Sequence, residues 1–257
     1  MGMLRQKLER GEVAIACGVG RFLHHNFLQA LGMHGGFDAV WFDMEHVGNS
    51  IEQLEIGTLA ARSQGMDSFV RLPPTDYSIV SRSLESGASG IMAAQVRSVE
   101  QTEEIVQWAK YAPRGWRGLN TGSFDARFGT VPAAEHCERA NKETLVFIQI
   151  EALEALEDCE AIAAVPGVDM LFVGPADLSQ ALGVTGDFWN PKCLEGVERV
   201  AAACRRQGKW WGIVPPDPKY AAMCVEKGCQ LLSITSDGRL WNAGIQQVKG
   251  LYKDFLK

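Results

Sequence analysis

Glu151 and Asp177 are the two residues of this chain whose type and placement most directly suggest chemistry. Glu151 closes the apolar run LVFIQIE, and Asp177 follows another in MLFVGPAD. Carboxylate oxygens are hard ligands, suited to magnesium, manganese or another six-coordinate divalent ion such as cobalt, with water and a bidentate 2-oxo acid completing the shell. If both runs are strands of one parallel barrel, their ends share a mouth, and two acids far apart in sequence can meet around one cation. Taken singly, each has a plainer use, Glu151 as a cap or salt-bridge partner and Asp177 as a turn or helix-start residue. Gln149 lies two positions before Glu151, so it shares that strand face and could reach a substrate carboxylate or carbonyl.

Two further segments carry reactive groups. VWFDMEHVGN places Asp43, Glu45 and His46 within four positions. A histidine exchanges protons near neutrality and a carboxylate can hold its ring, which makes Asp43 and His46 a candidate acid/base dyad and leaves Glu45 for a salt bridge. SFVRLPP aims Arg71 at the same mouth, where a planar guanidinium could bind a carboxylate through two hydrogen bonds or support a developing enolate oxygen. Its simpler role would be to pair with an acid of the barrel rim. A Schiff-base route needs a lysine at the mouth, and no lysine falls at the C-terminal end of a candidate strand. His24, His25, His34 and His136 have no evident proton partner and read as surface or packing residues.

The elements that must position these groups follow one alternation. Strand-like runs at 13–19, 39–42, 68–72, 90–93, 145–150, 170–173, 210–214 and 231–234 are mostly unbroken apolar stretches, as buried parallel strands are. Helical patterns are expected at about 21–33, 51–64, 76–86, 99–110, 153–163, 191–206, 217–226 and 240–253, several of them ending at a glycine suited to a left-handed cap. Eight such units in 257 residues fit a single (β/α)8 TIM barrel spanning 1–257. An open doubly wound sheet uses the same alternation, but the turn after the first strand, CGVGRF, lacks the third glycine of a dinucleotide fingerprint. Two longer excursions, 113–134 and 175–191, could form the mouth or a subunit contact. The first, with Arg114, Arg117 and Arg127, would also suit a mobile lid over an anionic substrate.

Bulk properties exclude several classes. The formal net charge of −6 and scattered basic residues argue against nucleic acid as a partner. No apolar stretch approaches the roughly 20 residues of a membrane span, and MGMLRQKLERGE lacks a secretory apolar core, so the expected location is cytoplasmic. Seven cysteines without a CxxC pair read as reduced packing residues.

The chain resembles the HpcH/HpaI aldolase family, metal-dependent 2-oxo acid aldolases such as those acting on 2-dehydro-3-deoxyglucarate and 4-hydroxy-2-oxoheptanedioate, related to citrate lyase beta subunits. FDAVWFDMEH, FVRLPP, LESGASGIM, YAPRGWRG, IQIE and LFVGPADLS carry the resemblance, from about Gly11 to the last strand. It implies Glu151 and Asp177 as metal ligands, Arg71 against pyruvate or its enolate, and Asp43 with His46 as the acid/base pair. Gln149 would assist substrate binding, the backbone near Gly174 and Ala176 would receive the pyruvate carboxylate, and Glu85 would lie behind the residues that touch substrate. The implied assembly is a homo-hexamer of two trimers with an exchanged C-terminal helix. The implied reaction is reversible retro-aldol cleavage of a 4-hydroxy-2-oxo acid to pyruvate and a small aldehyde through a metal-stabilised enolate, with residues of the 113–130 loop selecting the aldehyde. Departures occur at GRFLHHNF, IMAAQVRS and Trp116. Citryl or malyl thioester cleavage and a noncatalytic metabolite-binding barrel are the alternatives.

Overall fold

The computed structural model describes residues 2–73 and 76–256, so Pro74 of the FVRLPP motif lies outside the described residues. In chain order the elements are α1 (Met3–Glu9), β1 (Ala14–Val19), α2 (His25–His34), β2 (Ala39–Asp43), α3 (Ile51–Ser63), β3 (Asp67–Leu72), α4 (Tyr77–Glu85), β4 (Gly90–Ala93) and α5 (Val99–Ala109). They continue with α6 (Ala133–Glu143), β5 (Leu145–Ile150), α7 (Leu153–Glu157), α8 (Cys159–Ala164), β6 (Met170–Val173) and α9 (Pro175–Ala181). The last are α10 (Pro191–Gln207), β7 (Trp210–Ile213), α11 (Pro218–Glu226), β8 (Leu231–Ser236) and α12 (Asp237–Leu251). The eight strands are parallel and close in sequence order, β8 pairing back on β1. The expected TIM barrel is therefore the fold, and the open-sheet alternative falls.

Period-two alternation sorts each strand into an outward and an inward set. Outward residues such as Val40, Val70, Ile148 and Leu171 pack under the helices. Inward residues, among them Phe69, Phe147, Met170 and Phe172, fill the barrel, with the Phe69 and Phe147 rings meeting edge to face at 5.1 Å between centroids. Continuing the inward series upward gives Asp43 after Trp41, Arg71 after Phe69, Gln149 after Phe147 and Gly174 after Phe172. The site is thus the polar top of the stack whose lower layers are apolar. Gly18 makes room in it, because a Cβ there would lie 2.7 Å from the Trp41 ring.

The opposite end is sealed by α1, a helix without an expectation in the sequence. Leu4 and Leu8 are fully buried against the barrel interior, each contributing roughly 2 kcal/mol of apolar burial. Its polar residues tie to acids at the strand starts: Leu4 N donates to Asp67 (2.6 Å), Arg5 to Asp169 (2.7 Å) and Lys7 to Asp38 (2.7 Å).

Three expectations need revision. The segment expected as one helix over 153–163 is split, since Asp158 (φ −97°, ψ 11°) leaves helical geometry between α7 and α8. The 113–134 excursion joins α5 to α6 and so returns the chain from a helix to the next strand start. Arg117 and the 124–128 stretch lie by the strand starts, away from the mouth, while Trp116 and Gly118 pack on Tyr77 at the start of α4. α12 begins at Asp237 rather than 240, capped by the Ser236 side chain, which accepts from Arg239 N. Leu240, Trp241, Ile245, Val248 and Leu251 of α12 are exposed, so the helix leaves an apolar face without cover in a single chain. Among the described residues no helix is long and apolar enough to cross a membrane.

Candidate active site

Parallel pairing of β2 and β3 sets Asp43 beside Arg71. The carboxylate accepts from Arg71 Nη2 at 2.7 Å and Nε at 3.1 Å, a bidentate fork. It also accepts from the backbone N–H of Glu45 (2.9 Å) and of His46 (3.3 Å), which folds the chain back after the strand. Burial pushes Asp43 upward, but the Arg71 hydrogen bonds and charge, with the two backbone donors, overturn it and hold the carboxyl below its usual range. Arg71 Nη1 forms an ion pair with Glu45 at 3.1 Å, and the guanidinium stands 4.8 Å from the Trp41 ring centroid. Trp41 is fixed in turn by donating to Ser233 Oγ at 2.8 Å.

The His46 ring does not meet the Asp43 carboxylate in this arrangement. It is 59% exposed at the rim, with Nε2 3.7 Å from Glu45 Oε2. Asp43 reaches His46 through the backbone, and Glu45 is the carboxylate facing its ring. Burial raises Glu45, with Arg71 and His46 opposing and Asp43 and Asp177 adding to the rise.

Across the mouth, Glu151 is buried just beyond β5. Its Oε1 accepts from Gln95 N (2.7 Å) and Gln95 Nε2 (3.1 Å), and its Oε2 accepts from Gln149 Nε2. Burial pushes its carboxyl up to about 7; the Gln95 N–H opposes this, while the negative charges of Glu45 and Asp177 reinforce it. Gly174 is required here, because a Cβ would sit 2.3 Å from Glu151 Oε2 and 2.5 Å from Gln149 Nε2. Asp177 lies in the first turn of α9, half-buried and without a hydrogen-bond partner among the described residues. A cavity of about 230 Å³ opens between Arg71, Gln149, Gly174, Ala176 and Asp177, with Trp41 and Arg239 also on its wall. Glu151 stands behind that wall, reaching it through Gln149 and Gly174.

The donor set fits a divalent cation that keeps open positions. Glu45, Glu151 and Asp177 gather negative charge beside Arg71, and Gln149 Oε1 is buried without a donor among the described residues. Among the described residues no three His, Cys, Asp or Glu side chains are grouped so that together they could hold a metal ion. Two carboxylates, Glu151 and Asp177, could hold the ion while water and a bidentate ligand fill the rest of its shell.

A family model described as HpcH/HpaI aldolase/citrate lyase matches residues 24–243. The chain belongs to this family. Among curated members of similar sequence, a hydroxypyruvate/pyruvate aldolase of Pseudomonas aeruginosa is 32% identical over 97% of this chain and 92% of its own length. A 5-keto-4-deoxy-D-glucarate aldolase of Klebsiella pneumoniae is 31% identical over 88% and 87%. The crystal structure of an HpcH/HpaI aldolase from Desulfitobacterium hafniense superposes with a TM-score of 0.92 at 31% identity, covering 100% of this chain and 98% of that one.

Within this HpcH/HpaI barrel, the structure brings Asp43, Arg71, Gln149, Gly174, Ala176 and Asp177 around one mouth with Glu151 beside them. Glu85 is placed elsewhere: it ends α4 and accepts from Ser81 (3.3 Å) and Asn120 (3.0 Å), on the side of the α5–α6 connection. Three residues were missed. Gln95 holds Glu151 from a left-handed backbone (φ 53°), a conformation no residue type there announces. Glu45 was legible as a salt-bridge acid but not as the carboxylate facing His46. Arg239 falls between the strand expected at 231–234 and the helix expected at 240–253, and it lines the cavity with no side-chain partner among the described residues.

Proposed function

We propose that this family member is a divalent-metal-dependent lyase that reversibly cleaves a 4-hydroxy-2-oxo acid to pyruvate and an aldehyde. The observation that carries the reading is the charge pattern of the mouth: carboxylates in excess around Glu151 and Asp177, beside a guanidinium fixed by Asp43. A 2-oxo acid brings the complementary groups, a carboxylate and a carbonyl able to chelate, and the cavity volume suits a three-carbon unit. The curated relatives named as aldolases support the same reaction class.

When bound, the cation would lend Lewis-acid charge to the carboxylate and 2-oxo oxygens and so lower the cost of the enolate. Glu151 and Asp177 would hold it. Arg71, unable to rotate because Asp43 and Glu45 occupy its other edges, would donate to the same developing oxygen without reorganising. The backbone at Gly174 and Ala176 would seat the pyruvate carboxylate, with Gln149 at its side. His46 would take the C4-hydroxyl proton as the C3–C4 bond breaks, its ring facing Glu45 and its backbone held by Asp43. Return of a proton to C3 then completes pyruvate. The uncovered apolar face of α12 supports a homo-oligomer, with the hexamer and helix exchange implied by the family as its form.

The test is metal-dependent retro-aldol turnover in wild type, R71A, E151A and D177A. Loss in each variant is expected, and normal turnover in all three would remove the mechanism.

A further inference from the structure

We propose that the floor of the barrel carries a second binding site, separate from the mouth, for a small anion of the phosphate or phosphate-monoester class. A cavity of about 470 Å³ lies at the N-terminal end of β4 and β5, between α1, the end of α3, the α5–α6 connection and α6. Four arginines line it, Arg62, Arg117, Arg127 and Arg139, with two carboxylates, Asp125 and Glu143. That excess of positive charge sits in a chain whose formal net charge is −6.

The guanidinium groups are incompletely satisfied. Arg117 is 4% exposed and donates through Nη2 to Asp125 at 2.6 Å, yet its Nε is buried without a hydrogen-bond partner among the described residues. Arg139 donates through Nη2 to the Asp125 carbonyl at 2.6 Å, and its Nη1 is likewise buried and unpartnered among the described residues. Arg62 lies 3.6 Å over the Phe124 ring and donates to the Gly87 carbonyl at 3.0 Å, contacts that carry no full negative charge; Asp67, whose charge bears on it, is already bonded to Leu4 N. Arg127 is exposed at the rim, its side chain without a partner among the described residues.

A buried N–H donor left unpaired is costly, and a charged one more so. Arginines from three chain segments border this one cavity, and a tetrahedral oxyanion has several oxygens that can each accept from a different fork. The cavity exceeds the mouth's 230 Å³ and falls within the usual range for small-molecule sites, so a phosphate on a short carbon skeleton fits as well as the free ion. The mouth has the opposite balance, its single central arginine already engaged by Asp43 and Glu45.

The probe is inorganic phosphate, titrated into the full-length protein in its native assembly by calorimetry and by thermal midpoint. Saturating pyruvate and magnesium are present to occupy the mouth, and ionic strength is held with chloride. Saturable binding of one phosphate per chain is expected, weakened about tenfold in R127Q and in R139Q, the loss of one charge-assisted contact. R127Q, a rim substitution, should fold normally, and R139Q, on α6 and outside the loop expected to select the aldehyde, should leave retro-aldol turnover without phosphate unchanged. Glycerol phosphate in place of phosphate separates a monoester site from one for the free ion, and binding of either supports the proposal. No saturable binding, equal binding by wild type and both variants, binding of succinate but neither phosphate, or loss of binding in R71Q alone would overturn it.

Discussion

The two ends of this barrel are built from the same residue types in opposite proportion. At the mouth, Asp43, Glu45, Glu151 and Asp177 outnumber Arg71 and Arg239, and burial with mutual repulsion pushes Glu151 up to about 7. At the floor, four arginines and two carboxylates border one cavity, and two of the guanidinium nitrogens are buried without partners among the described residues. One imbalance invites a cation and its chelating anion, the other an anion alone. Position along the strand direction decides which chemistry an arginine–carboxylate cluster serves, since a (β/α)8 barrel collects its reactive groups at the C-terminal ends of its strands.

The largest effect expected from breaking this contrast is at Arg71. R71A should lower kcat/KM for retro-aldol cleavage about 10³-fold, as loss of a preorganised donor to a developing oxyanion does, whereas R139Q at the floor should leave it unchanged. Steady-state kinetics on both variants checks the pair; equal losses would erase the distinction. Next is G174A, whose added methyl would meet the Glu151 carboxylate at 2.3 Å. Displacing that group should reduce kcat about 10²-fold, with the folded state retained by circular dichroism. Wild-type turnover in G174A would show that Glu151 needs no such close support.

A third expectation concerns the floor and pH. Lys110 is buried, donating to the carbonyls of Asn141 and Thr144, and burial lowers it to about 8 from 10.5. Between those values the unfolded chain holds the proton and the folded chain has released it, so this group's penalty fades as pH rises. The stability of wild type relative to K110M should therefore improve by about 2 kcal/mol between pH 8 and 10. Chemical denaturation of both proteins across that window measures it, and a flat difference would mean that Lys110 stays charged. The smallest effect is at Arg239, free at the mouth. R239Q should raise KM about tenfold for an aldehyde bearing a carboxylate while leaving a neutral aldehyde unaffected. Parallel losses for both would make Arg239 a structural residue.

The barrel was legible because its strands are buried on both faces. Gly90–Ala93, Leu145–Ile150 and Met170–Val173 follow their apolar runs residue for residue. α6 was not, because only His136 and Ala140 of AAEHCERANKE are buried, leaving almost no apolar stripe. Without an apolar stripe to mark α6, nothing in the sequence fixes which end of the barrel the preceding arginine-rich loop occupies, and mouth, lid and subunit contact stay open for it. In the site, strand-end residues could be read from alternation: Arg71, Gln149 and Glu151 each extend an inward series. Residues on the loops could not. Gln95 depends on a left-handed backbone, and Glu45 faces His46 only because Asp43 binds the two following N–H groups.

The central claim is that Glu151, Asp177 and Arg71 together stabilise a pyruvate enolate. Exchange of the pyruvate C3 protons with deuterated solvent, followed by NMR with magnesium, manganese or cobalt added, tests it without knowledge of the aldehyde. Metal-dependent exchange is expected in wild type and in R127Q, and its loss in E151A, D177A and R71A. Exchange that needs no metal, or that persists at the wild-type rate when either carboxylate is removed, would contradict the account.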